Sequence, residues 1–182
     1  MQAVNKRGHL MRHLKILVIG HQGVGKTTLI KSVTKNTIST DVNGRTVCLD
    51  FGTLEYRDLK AHLFGSPGMR QFNLVRKALS SGSDGVILVV DSTDPVSIHE
   101  GERYFRELFG VNPPPLVVAA NKQDLPGAIH PKKIENILNV PAPVFPTQAH
   151  RGIGLDPLII NFIRYLGEIG KGLNLPTLLE KA

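Results

Sequence analysis

Eight residues near the start of the chain have the types and spacing of a phosphate-binding loop. Positions 20–27 read Gly-His-Gln-Gly-Val-Gly-Lys-Thr and directly follow an apolar run at 14–19. They match the pattern G-x-x-x-x-G-K-S/T, in which glycines let the backbone turn tightly and direct its N–H groups at phosphate oxygens. The stretch that follows is typical of a helix, whose positive dipole end would face the same oxygens. The pattern therefore predicts a nucleoside triphosphate site.

Individual roles in this loop follow from the chemistry of its side chains. Lys26 is expected to reach the β- and γ-phosphates and so to act in catalysis, and Thr27 to give its hydroxyl to Mg²⁺. A glycine turn with an incidental lysine is the competing interpretation, and the strand and helix on either side argue against it. The residues predicted to contact the nucleotide here are Gln22, Gly23, Val24, Gly25, Lys26, Thr27 and Thr28.

The elements that must position this loop alternate between strand and helix. Continuous apolar runs such as 86–90 are typical of central parallel strands that are covered on both faces. Strands separated by helices predict a parallel sheet with right-handed crossovers and with ligands at the carboxyl ends of its strands. The predicted strands are 14–19, 46–51, 56–64, 86–91, 116–121 and 144–147, and helices are expected after the loop and at 69–79, 95–109, 131–138 and 156–169.

Length and composition describe one globular domain. The chain has 182 residues, of which 41% are hydrophobic, and this suffices to bury a core. Its apolar runs are too short to cross a membrane, so no stable membrane insertion is expected. Cys48 is the one cysteine, which excludes an internal disulfide and favours a packing role in a reducing, cytoplasmic setting. Residues 1–11 lack the apolar core of a signal peptide and are expected to form a flexible basic extension.

The chain carries a formal net charge of +7. A basic protein can bind nucleic acid, an acidic membrane or an acidic partner. Here the basic residues are spread along the chain, aromatic residues make up 5% and Trp is absent. Because single-strand binders place aromatic side chains among their basic ones, nucleic-acid binding is not expected to be the main function.

Two short motifs at later strand ends resemble the guanine-binding elements of small GTPases of the Ras superfamily. Asn121-Lys122-Gln123-Asp124 resembles the motif N-K-x-D, and Thr147-Gln148-Ala149 resembles the short S-A-K/L element. The resemblance implies that Asp124 accepts the N–H donors of the guanine edge, that Lys122 lies along the base face and that Asn121 joins the base to nearby loops. Gln148 and Ala149 would complete the base site, where the Ala149 N–H meets guanine O6. Adenine would leave the carboxylate unpaired, so ATP fits poorly.

The segment between these motifs resembles the second switch of the same family, with two departures. Gly65-Ser66-Pro67-Gly68-Met69 stands where the family has D-x-x-G-Q. Gly68 matches the glycine whose N–H binds the γ-phosphate, and it is therefore placed among the catalytic residues. Gly65 replaces the aspartate on the magnesium side. Met69 replaces the glutamine that orients water, which a thioether cannot do by donating a hydrogen bond.

The first switch is represented by Thr46-Val47-Cys48-Leu49-Asp50-Phe51, which resembles T-I-G-x-D/E-F. The resemblance implies that Thr46 binds Mg²⁺ beside Thr27, and the alternative is an ordinary strand threonine. Arg45, the run H-L-F-G-S-P-G and the lost aspartate together resemble the prokaryotic gliding-motility (Mgl-type) branch. There an arginine before the switch threonine can act as an arginine finger in cis, and Arg45 is either that finger or a solvated charge.

Gln22 is a further departure, because Ras-like proteins usually have glycine beside the γ-phosphate. Its side chain either obstructs the transition state or itself holds water. With Met69 it predicts slow unaided hydrolysis.

Together these motifs indicate an α/β P-loop NTPase of the Ras-like type: a three-layer α/β/α domain around a six-stranded, mostly parallel sheet. The resemblance places the GTPase domain at 12–172 and a tail at 173–182. It implies a switch that cycles between GTP·Mg²⁺ and GDP, hydrolyses GTP slowly and controls a protein effector, with a roadblock-type regulator as in the Mgl branch. A GTP-loaded interaction module that does not hydrolyse GTP, and an RNA- or ribosome-associated GTPase, are the alternatives.

The departures generate a prediction about turnover. Single-turnover hydrolysis of bound GTP with Mg²⁺ is expected to be slow in the wild type, faster in Met69→Gln and lost in Arg45→Ala, because the glutamine would orient water and the arginine would stabilise transition-state charge. An unchanged rate in Met69→Gln would mean that another group places the water. Wild-type GTP that persists and does not respond to Arg45→Ala would indicate the non-hydrolysing module.

Overall fold

The computed structural model describes residues 11–38, 41–42, 45–46, 50–68 and 72–168. The predictions made for Met69, Cys48, 1–10 and 169–182 concern positions outside these residues. In chain order the elements are β1 (Arg12–Ile19), α1 (Lys26–Val33), β2 (Asn36–Ile38), β3 (Asp41–Val42), β4 (Arg45–Thr46), β5 (Asp50–Tyr56), β6 (Leu59–Gly65), α2 (Asn73–Ser80), β7 (Gly85–Asp91), α3 (Pro95–Phe109), β8 (Leu116–Asn121), α4 (Pro131–Ile137), β9 (Val144–Pro146) and α5 (Leu155–Glu168).

The main sheet has the strand order β2-β5-β6-β1-β7-β8-β9, and β3 pairs with β4 in a separate two-stranded sheet. Strands β6, β1, β7, β8 and β9 run parallel, whereas β5 pairs antiparallel with β6 and β2 antiparallel with β5. The mostly parallel α/β fold predicted from the sequence is confirmed. The three-residue edge strand β2 brings the main sheet to seven strands.

The hairpin of β5 and β6 is where the strand boundaries differ most from the sequence prediction. A single strand was expected at 46–51, but Arg45–Thr46 belongs to β4 and β5 begins only at Asp50. Beyond Asp50 the strand is longer than expected because the two-residue turn Arg57-Asp58, in which Arg57 has a φ of 55°, pairs it with β6. Such a turn matches the twist of the flanking strands and sets their register. It extends β5 to Tyr56 and places Asp50 opposite Gly65.

Alternate side chains of the central strands enter two separate cores, one on each face of the sheet. On β7, Ile87 and Val89 pack in the core shared with α1 and α5, and Leu88 and Val90 in the core shared with α3 and α4. Phe162 of α5 is fully buried in the first core. Two helical layers therefore cover the sheet, as the continuous apolar strands indicated.

Parallel strands bring their carboxyl ends to one edge of the sheet, and this edge positions the candidate site. Ile19, Gly65, Asp91 and Asn121 end β1, β6, β7 and β8 there. Asp50, the first residue of the antiparallel strand β5, joins them because it faces Gly65. No helix in the described part of the chain is long and apolar enough to cross a membrane.

Candidate nucleotide-binding site

The predicted phosphate loop connects β1 to α1 and depends on its glycines. Gly20, Gly23 and Gly25 have φ values of 148°, 79° and 103°, a region that L side chains rarely adopt. A Cβ at Gly20 would lie 2.2 Å from the Val89 carbonyl oxygen, and one at Gly25 would lie 2.4 Å from Asn121 Nδ2. The first and last glycines are thus needed both for backbone conformation and for close approach.

The Lys26 side chain folds along this loop. Its Nζ donates to the carbonyl oxygens of Gly20, at 3.0 Å, and of His21, at 2.8 Å. Burial lowers the pKa of the ammonium to about 8; the nearby Asp50 carboxylate opposes the shift and Arg76 adds to it. Phosphate oxygens would supply the negative charge that this buried ammonium lacks.

Asn121 links the phosphate and base halves of the site. It ends β8, is buried, and its Nδ2 donates to the Val24 carbonyl at 2.8 Å. Its Oδ1 accepts from the Ala149 N–H at 2.9 Å and from the Thr147 hydroxyl at 3.3 Å. One side chain therefore holds the phosphate loop, the end of β8 and the segment after β9 in fixed relation.

Lys122 is fixed by a partner that sequence reasoning missed. It has a φ of 64°, and its Nζ forms an ion pair with Asp91 at the end of β7. Burial alone would raise the pKa of the Asp91 carboxyl, but hydrogen bonds from Lys122 and Thr93 outweigh it and lower that pKa. The sequence signal for this partner was that Asp91 ends its strand as Asn121 does. The two residues pair across the sheet, which brings Asp91 next to Lys122.

Unpaired acceptors lie at the predicted base position. Asp124 Oδ1 and Gln148 Oε1 are buried and have no hydrogen-bond partner among the described residues. The other Asp124 oxygen lies 3.6 Å from His150 Nε2, a neighbour that the motifs did not predict. Buried acceptors without donors are unfavourable, so this arrangement suits a ligand that presents N–H groups.

Asp50 occupies the space that a side chain at position 65, here a glycine, would fill. It is 2% exposed, and its Oδ2 accepts from the Thr27 hydroxyl at 2.5 Å. A Cβ at Gly65 would lie 2.9 Å from Asp50 Cβ and 3.1 Å from Asp50 Oδ2. The loss of an aspartate at position 65 was evident from the sequence, whereas the position of the Asp50 carboxylate beside it was not predicted. Its signal was the register of the hairpin, in which residues equally distant from the Arg57-Asp58 turn face each other.

The donor set around Asp50 fits a magnesium ion. Asp50 Oδ1 is buried and has no hydrogen-bond partner among the described residues. A carboxylate and a threonine hydroxyl are hard oxygen ligands of the kind that Mg²⁺ prefers, usually together with phosphate oxygens and waters. For Arg45 and Thr46 the structure describes only the backbone of β4, so their predicted roles stay predictions.

Gly68 lies directly against the phosphate loop. A Cβ at this position would lie 2.7 Å from the Gln22 backbone nitrogen and 2.9 Å from Lys26 Nζ. Because this distance is too short for a Cβ next to the Gln22 backbone, only glycine fits at position 68. The predicted γ-phosphate contact and the predicted phosphate loop are therefore neighbours in the structure.

The chain is similar to known proteins in sequence and in fold. A family model of the ADP-ribosylation factor family matches residues 1–160. The chain is 30% identical over 146 residues to an uncharacterized protein of Methanocaldococcus jannaschii, covering 80% of this chain and 92% of that protein. It is 31% identical over 157 residues to ADP-ribosylation factor-like protein 1 of Drosophila melanogaster, covering 80% and 84%.

A solved structure gives the same fold. The Arl6 small GTPase of Trypanosoma brucei, solved with the nucleotide analogue GppNp, superposes with a TM-score of 0.71 over 86% of this chain and 96% of that one, at 22% identity. The match over residues 1–160 includes the phosphate loop and the segments predicted to form the two switches and the base site. The chain therefore belongs to the ADP-ribosylation factor family of small GTPases, with the Ras-like fold.

Proposed function

We propose that this protein is a GTP-binding molecular switch that cycles between GTP·Mg²⁺ and GDP, hydrolyses GTP slowly and thereby controls a partner protein. The observation that carries the proposal is the Asn121 side chain, which holds the phosphate loop and the base segment together through three hydrogen bonds. A ligand that spans both halves must have a base at one end and phosphates at the other. A guanine nucleotide meets both requirements.

Guanine is selected by Asp124 in this proposal. Its buried Oδ1 has no donor among the described residues, and guanine presents two N–H groups on one edge. Adenine offers no such pair and would leave a buried acceptor unpaired, which strongly disfavours it.

Magnesium would be held at the other end by Thr27 and Asp50, with Thr46 as the further ligand expected from the family resemblance. The bound ion would neutralise phosphate charge. Asp50 then does two things in the chain itself. It orients the Thr27 hydroxyl through their hydrogen bond, and its charge favours the protonated form of Lys26.

Switching follows from what the γ-phosphate would contact. Its loss on hydrolysis would release the segments of Gly68 and Thr46, because both contacts depend on it. Five further features rest on sequence resemblance and composition alone. They are the resemblance to the Mgl branch, the arginine-finger role of Arg45, the protein effector, the roadblock-type regulator and the cytoplasmic location. They remain predictions, and turnover in the Arg45 and Met69 variants separates the switch from the non-hydrolysing module.

The base site is tested by Asp124→Asn. This change replaces one acceptor by an amide donor, so GTP affinity is expected to fall by about 100-fold or more. Xanthosine triphosphate, whose 2-oxo group suits a donor, should bind the variant better than it binds the wild type. Competition titrations against GTP, xanthosine triphosphate and ATP measure this, and a guanine preference that survives would contradict the assignment.

The magnesium site is tested by Asp50→Asn. The affinity for GTP in Mg²⁺ is expected to fall about 10-fold to 100-fold, because the carboxylate charge and the acceptor for the Thr27 hydroxyl are both weakened. In EDTA the loss should be clearly smaller, because only the contacts of Asp50 with Thr27 and Lys26 are then affected. Asp156→Asn, an exposed carboxylate on α5, is the control and should change neither value. Equal losses with and without Mg²⁺ would contradict the role.

A further inference from the structure

Two buried side chains donate hydrogen bonds to the carbonyl oxygens of the turn at Pro67 and Gly68. Arg76 of α2 is 2% exposed, and its Nη1 donates to the Pro67 carbonyl oxygen at 3.2 Å. Tyr104 of α3 is 1% exposed, and its hydroxyl donates to the Gly68 carbonyl oxygen at 3.3 Å. Two successive carbonyls are thus fixed from the side of α2 and α3.

The turn also lies against the phosphate loop, where Gly68 approaches Gln22 and Lys26. The peptide between Pro67 and Gly68 is trans, so its C=O and N–H point in opposite directions. Because Arg76 holds the C=O, the Gly68 N–H must point away from Arg76. The hydrogen bond on one side therefore sets the direction of the donor on the other.

The two contacts of Arg76, with the Pro67 carbonyl and with the Tyr104 ring, suit a guanidinium. The guanidinium carbon lies 4.4 Å from the centroid of the Tyr104 ring. A planar guanidinium can stack on a ring and donate in its own plane at the same time, whereas an ammonium cannot. Burial of a permanent cation is unfavourable without specific partners. The charge of Arg76 also adds to the lowering of the pKa of Lys26.

We propose that Arg76 is a positioning residue for the γ-phosphate: by binding the Pro67 carbonyl it orients the Gly68 N–H towards that phosphate. Tyr104 binds the Gly68 carbonyl and so connects the same turn to α3. The inference rests on the proposed function, in which Gly68 contacts the γ-phosphate. It adds that discrimination between GTP and GDP depends on α2 and α3 through these two side chains. Presence of the γ-phosphate is thereby transmitted to both helices.

The test compares dissociation constants for GDP and the non-hydrolysable analogue GppNp, in Mg²⁺, for the wild type and four variants. Arg76→Met is expected to weaken GppNp about tenfold and GDP less than about twofold, because only the triphosphate uses the Gly68 N–H. Arg76→Lys should lie between, since it keeps one donor and the charge. Tyr104→Phe should weaken GppNp about threefold. Lys77→Met removes the neighbouring exposed cation of α2 and should change neither constant.

Equal losses for both nucleotides in the Arg76 variants would overturn the inference, because a merely structural side chain has no preference for the triphosphate. Unchanged constants would overturn it as well. If Arg76→Met does not fold, Tyr104→Phe decides, since it removes a single oxygen. A wild type that binds neither nucleotide would refute the proposed function itself, whereas a wild type that binds both would leave that function standing whatever the variants show.

Discussion

The hydrogen bond between Thr27 and Asp50 is the interaction around which the phosphate end of the site is arranged. It joins the first turn of α1 to the first residue of β5 and brings a carboxylate close to the buried Lys26 ammonium. Burying a carboxylate with one oxygen unpaired is unfavourable for the free protein. Such a group is retained where a ligand completes it, and a cation between this carboxylate and the phosphates would do so. Gly65 is small because Asp50 already fills its space.

Several deviations from ordinary folding rules lie at the same edge of the sheet. Lys122 has a positive φ, Asp124 and Gln148 leave buried acceptors unpaired, and the loop glycines take conformations that side chains disfavour. The two apolar cores below hold these features in place through the buried strands β7 and β8. Sites that bind ligands commonly break local rules in this way, and the rest of the fold supplies the stability.

Features formed by residues that are neighbours in the sequence were predictable. Features that depend on how strands pair or helices pack were not. The phosphate loop, the motif at Asn121 and the buried strand runs each lie within a few residues, so local patterns reveal them. Asp50 lies fifteen positions from Gly65 and meets it only through the register of a hairpin, which a turn of two ordinary residues sets. Arg76 on a helix resembles a solvated charge until α3 brings Tyr104 against it.

In the proposed magnesium site Asp50 takes over the role of the aspartate that position 65 lacks, and exchanging the two residues tests this role. The measurement is the affinity for GTP with Mg²⁺ relative to EDTA, in Asp50→Gly, Gly65→Asp and the double variant. We expect Asp50→Gly to lose the magnesium effect and Gly65→Asp to be impaired, because two carboxylates crowd one space. The double variant should recover most of the effect, since one carboxylate again stands beside Thr27. A double variant no better than Asp50→Gly, or an Asp50→Gly variant that keeps the full magnesium effect, would show that Asp50 does not have this role.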